Sequence, residues 1–166
     1  MKKIFICVVL FGLIFSLFAC DTSKDLRNDN AGSTEDNLQN GENANGGEEK
    51  RVKIMIGNEE VIVVLSDTPT ANDLYKMLPM ELEFSDFNQA EKIAYPPEEL
   101  TTEGETFGID PSVGDVCLYE PWGNICVFYE DSDYSGDLVY LGRVESGLEI
   151  LANQSGDFSA RIEVNE

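Results

Sequence analysis

The chain contains no histidine, which excludes Ser-His-Asp triads, imidazole metal ligands and imidazole acid-base steps. Positive charge is scarce: 11 Lys and Arg stand against 32 Asp and Glu, a formal net charge of -21 over 166 residues, with an isoelectric point near 4.1. Such a surface repels phosphate backbones and gains nothing from counterion release, so nucleic acid is excluded as a partner. No apolar run has the length of a membrane span. The longest, Ile4 to Ala19, would reach about 24 Å as a helix, against a hydrocarbon core of roughly 30 Å. What is present is a chain 42% hydrophobic, enough for one domain with a real core.

The run that is too short to span reads instead as an address. Met1-Lys2-Lys3 precedes it, and it ends in Leu17-Phe18-Ala19-Cys20. A basic start, an apolar stretch and a small residue before the break are the parts of a signal peptide. The last four residues resemble the bacterial lipobox, in which the cysteine becomes the lipid-bearing first residue of the mature chain; Phe18 stands where a smaller residue is usual. Residues 1–19 are therefore expected to be a lipoprotein signal peptide. Cys20 is expected to carry the lipid, anchoring an extracytoplasmic protein to the bacterial cell membrane.

Residues 20–50 follow as a tether. From position 21 the segment has Leu26 and Leu38 as its sole large apolar groups and a net charge of -5, so it cannot bury enough surface to offset its ordering entropy. A flexible spacer of this length reaches roughly 30 Å. Residues 51–166 hold the remaining acidity, net -18, read as a solvated surface.

From Arg51 the periodicity is that of strands. Val52, Ile54 and Ile56 alternate with polar or flexible residues, Gly57-Asn58 turns the chain, and Val61 to Leu65 returns, predicting a hairpin with one strand buried on both faces. Thr68 as N-cap, Pro69 in the first helical position and Pro79 beyond the end frame a short helix with Leu74, Leu78 and Tyr75 on its apolar face. Leu82 and Phe84 predict a third strand, and residues 93–111, rich in Pro, Gly, Thr and Glu, a long surface excursion. Further strands are predicted at 116–119, 125–129, 138–142, 148–151 and 158–164. The pattern is mainly β: a closed antiparallel eight-stranded barrel with one or two short helices.

Asp67-Thr68-Pro69-Thr70-Ala71 with Leu74 and Leu78-Pro79, then Gly114-Asp115-Val116 with Tyr119, Pro121-Trp122-Gly123-Asn124-Ile125, and Leu141-Gly142-Arg143-Val144 with Gly147-Leu148-Glu149 together resemble the small bacterial and archaeal cyclophilin-like family over residues 52–165. The resemblance implies a cyclophilin-type eight-stranded barrel. Cyclophilins isomerise X-Pro bonds with an arginine that binds the substrate carbonyl, beside a groove of Phe, Gln, Trp and His. This chain has no His and no counterpart of the arginine-bearing strand motif. Gly123 to Phe128 only echoes the Gln-bearing segment, with Cys126 in place of the amide. The barrel is thus expected to bind a peptide or small ligand without robust catalysis, the alternative being an exported peptidyl-prolyl isomerase.

Ligand-binding candidates are Trp122, Asn124, Tyr119, Phe128 and Arg143. Trp122 in its Pro-Trp-Gly turn is either a lid over a barrel end or an exposed stacking platform. Arg143 offers a rigid fork of donors and is a weak catalytic candidate; the plainer reading is an ion pair with one of the many nearby acids, such as Glu145 or Glu149. Asp131, Asp133, Ser135 and Gly136 fit the start of a calcium-loop pattern, but its twelfth position is Gly142, where a bidentate Glu is needed, so an acidic turn is expected and no metal. No cofactor is expected. Cys117 and Cys126 flank the Trp122 turn; a four-residue turn sets them face to face and another turn type separates them, and buried free thiols are the favoured reading. Glu98 with Glu99 and Glu103 with Glu105 have no spacing that marks a catalytic couple.

Overall fold

The computed structural model describes residues 49–166. The signal segment, Cys20 and the spacer up to residue 48 lie outside the described residues. Strands β1 (Arg51–Ile56) and β2 (Glu59–Leu65) form the expected hairpin, with Ile56 opposite Glu59 across Gly57-Asn58. Helix α1 (Pro69–Lys76) follows, capped by Thr68, whose hydroxyl accepts from the Ala71 N–H at 3.4 Å. Then come β3 (Met80–Phe87), β4 (Glu91–Ala94), β5 (Phe107–Ile109), β6 (Asp115–Tyr119), β7 (Asn124–Phe128), β8 (Ser135–Ser146), α2 (Leu148–Ala152) and β9 (Phe158–Val164).

All pairings are antiparallel, in the order β2-β1-β9-β3-β4-β7-β6-β8, and β8 closes on β2. This is the closed eight-stranded barrel; β5 is a ninth strand laid on the edge of β8. Closure demands that β8 bend from β6 to β2. Register shifts at Val116/Cys117 and Ile62/Val63 supply the bend, and at Gly142 the backbones come so close that a Cβ would stand 2.2 Å from the Val64 carbonyl oxygen. Only glycine fits there.

Alternate residues of each strand fill the interior: Val52, Ile54, Val61, Val63, Leu82, Phe84, Val116, Leu118, Ile125, Val127, Val139 and Ile162 among them. The two helices plug opposite ends. α1 leaves the Leu65 end of β2 and inserts Ala71 and Leu74; α2 stands at the Glu60 end and inserts Leu151. Every barrel strand finds both neighbours within residues 51–164, so this segment contains all that its own folding requires.

Two expectations are corrected. Residues 148–151 are helix rather than strand: Gly147 takes φ +82°, ends the extended run, and packs where a Cβ would be 2.6 Å from the Glu60 carbonyl oxygen. The four residues Leu148-Glu149-Ile150-Leu151 are too few to reveal a period. The excursion of 93–111 is also shorter than expected, because Ile93 and Ala94 complete β4 and Phe107–Ile109 pairs with β8.

Candidate functional site: an apolar groove on the outer wall

The outer face of a small barrel normally meets water and alternates to polar side chains. Over β4, β7, β6 and β8 it does not. The outward residues Ile93, Cys117, Cys126, Phe128 and Leu138 form a second buried apolar cluster, with Phe87, Ile109 and Tyr119 packed against it. Strand β7 is buried at all five positions, which is the mark of a strand covered on both faces.

Beside this cluster lies a groove of about 300 Å³, at the lower end of the ligand-pocket range. The turn Glu120–Gly123, closed by the Gly123 N–H to the Tyr119 carbonyl at 2.9 Å, presents Trp122 at one side. Trp122 is 52% exposed and meets Phe87 and Tyr119 edge-on, with centroids 5.7 and 5.4 Å away. Phe128 completes the aromatic lining, and the loop after β7 adds Ser132 and Asp133. Trp122, Asn124, Tyr119 and Phe128 are thereby brought together in one groove.

Two polar groups of the lining lack partners. Asn124 is 1% exposed. Its Nδ2 donates to the Cys126 sulfur at 3.2 Å and the Ile125 carbonyl at 3.5 Å, but its Oδ1 accepts from nothing among the described residues. Glu91, opposite Phe128, has a buried Oε2 that is likewise unpartnered. Burial pushes the Glu91 carboxyl above its ordinary pKa, opposed by the Cys126 thiol beside it. Burial holds both thiols in their protonated form. Burial, then the charges of Asp115 and Glu91, push Cys117 up to about 12, and burial followed by the Glu91 charge pushes Cys126 higher still. The turn length sets Cys117 directly opposite Cys126, both free.

Arg143 is not in the groove lining. It stands on β8 opposite Asp115, donating through Nη1 to Asp115 Oδ1 at 2.5 Å and through Nη2 to the Val113 carbonyl at 2.7 Å. The expected ion pair with a nearby acid is thus made with Asp115 rather than with Glu145, which accepts from Arg51, or Glu149, which lies in α2. Asp131 spends one carboxylate oxygen on the Val113 N–H at 2.9 Å, and no group of three or more potential metal ligands occurs among the described residues. Glu91, Phe87 and Leu138 escaped the sequence reading. The unbroken apolar run Ile125 to Phe128 was the signal that the outer wall needed a cover.

A model of the cyclophilin-like family matches residues 54–163. Among solved structures, the solution structure of a hypothetical protein from Archaeoglobus fulgidus superposes with a TM-score of 0.60 at 20% identity, covering 74% of this chain and 99% of that one; the likeness is one of fold. No curated protein matches the chain. The family match runs from within β1 to within β9 and takes in both helices, nearly all of the closed barrel just described, and on it the chain belongs to the cyclophilin-like family.

Proposed function

We propose that the protein is an extracytoplasmic lipoprotein, anchored to the bacterial cell membrane through Cys20, whose barrel binds a peptide or small ligand in the outer-wall groove without robust catalysis. The observation that carries the binding reading is the half-exposed Trp122 over an apolar groove with unpartnered polar groups in its lining. Convergent aromatic walls with few polar groups are how small-ligand sites are built. The position of Arg143 supports the absence of robust catalysis. An isomerase must aim a donor at the substrate carbonyl as the amide loses conjugation, whereas this guanidinium is committed to Asp115 and Val113 outside the groove.

Two experiments test the reading. Residues 49–166 assayed with an X-Pro peptide should isomerise it at the uncatalysed rate; robust turnover that disappears in Arg143→Ala would establish the isomerase instead. The anchor is tested separately by metabolic lipid labelling of the full chain in a bacterial host. Cys20→Ala should abolish the label, and undiminished label would remove the lipoprotein reading.

A further inference from the structure

We propose that the occupant of the groove carries a hydrogen-bond-donating organic cation, a primary ammonium or a guanidinium, on an apolar body. In this assignment Glu91 Oε2 accepts from the cation and Asn124 Oδ1 takes a second donor of the same ligand. The inference rests on the binding reading above and gives that site its ligand class.

The groove lining holds an unbalanced carboxylate. A carboxylate set among apolar side chains is costly unless a cation or several donors meet it. Lys92, next in sequence, does not serve: its side chain points to the other face of β4, is 2% exposed, and donates to Asp86 Oδ2 and the Gln154 carbonyl, both at 2.8 Å. No Lys or Arg among the described residues forms an ion pair with Glu91, although eight such pairs occur elsewhere among them. Asn124 has the complementary defect, because its amide donors are used while its acceptor is not.

Both residues line the one groove together with Cys126, so the two unmet acceptors belong to one locality. Both ask for donors. A neutral acceptor ligand or an anion would worsen the imbalance, and a quaternary ammonium would leave both oxygens unpaired. Around them stand Trp122, Tyr119, Phe87 and Phe128, whose ring faces attract cations and whose bodies bury an apolar stem. The negative field of the domain raises the local concentration of any cation. Glu91 is only partly buried, so its carboxylate can turn toward an incoming ligand about its own terminal torsion.

The test compares benzylamine and benzamidine with their neutral counterparts benzyl alcohol and benzamide. They are titrated into residues 49–166 and followed by emission of the single Trp122 and by calorimetry. The charged member of each pair is expected to bind at least about tenfold more tightly. In Glu91→Gln, which keeps the shape and removes the charge, the preference should fall to about twofold or less. Glu59→Gln, at the β1–β2 turn, should leave it unchanged, which separates the groove from general attraction to an acidic surface. An acetylated Phe-Lys amide compared with benzylamine tells a peptide side chain from a free amine as the source, and preference for either supports the cation. Equal binding of charged and neutral probes would overturn the inference while leaving the groove a binding site. Silence from every probe on a folded protein would overturn both.

Discussion

Arg143 and Asp115 face each other across β8 and β6, with Nη1 2.5 Å from Oδ1 and the carboxylate side chain only 10% exposed. Asp115 also takes the Ser112 N–H at 2.9 Å, and the guanidinium lies over Gly114 and holds the Val113 carbonyl. The pair thus locks the corner that leads into β6. Arg143→Ala would leave a nearly buried carboxylate with one donor. Because the arginine is half exposed, the expected loss is about 1–2 kcal/mol rather than that of a fully buried pair. Urea unfolding checks this, with benzylamine binding in the groove unchanged.

A second ion pair, Lys92 with Asp86, contributes to the acid sensitivity of the fold. Lys92 Nζ donates to Asp86 Oδ2, which also accepts from the Tyr129 hydroxyl at 2.6 Å. These two hydrogen bonds, that of Lys92 first, hold the Asp86 carboxyl below its ordinary pKa. A depressed carboxyl contributes stability that is present above the unfolded value, about 3.9, and is lost as pH falls through the folded one. Asp86→Asn strips the counterion from a buried ammonium, and at neutral pH should cost about 2–4 kcal/mol. The gap between wild type and variant should narrow below about pH 4. A constant gap across a pH series of unfolding midpoints would show that the pair does not titrate as described.

How much of this was legible depends on the length of each signal. Six or seven residues of alternation in β1 and β9 suffice to fix which faces turn inward, and the Thr68-Pro69 start of α1 is a local capping device. The four residues of β4 and the five of α2 are too few to show a period, and long-range packing of Gly147 against Glu60 decides the latter. The groove was half legible. Tyr119, Trp122, Asn124 and Phe128 come from one hairpin, so local reasoning gathers them. Glu91 joins them only through the register of β4 against β7, which no local pattern in the sequence encodes.

Glu91 has the opposite pH sign from Asp86. Burial raises its carboxyl pKa, so its contribution is favourable only below the unfolded value of about 4.3 and is lost as pH rises through the folded one. Above that window the carboxylate weakens the fold in the absence of a ligand. Glu91→Gln should therefore stabilise the unliganded barrel at neutral pH, by about 1 kcal/mol, in the manner of binding sites that trade stability for function. A thermal melt at neutral pH showing destabilisation would mean that the carboxylate has a structural donor.

The cysteine pair offers the last check, since it tests the covered outer wall itself. Cys117 and Cys126 stand opposite each other on β6 and β7, 0% and 2% exposed. Only the thiolate reacts with alkylating agents, and burial keeps it negligible at neutral pH, with Cys117 pushed up to about 12. In the native barrel of residues 49–166, under reducing conditions, neither thiol should react with iodoacetamide over the time in which both are labelled in denaturant. Mass spectrometry counts the adducts. Rapid labelling of Cys126 alone would show that the groove opens down to its sulfur, and a ligand seated beside Glu91 and Asn124 should then protect it. Rapid labelling of both would mean that β6 and β7 part, and that the second apolar cluster does not seal the wall.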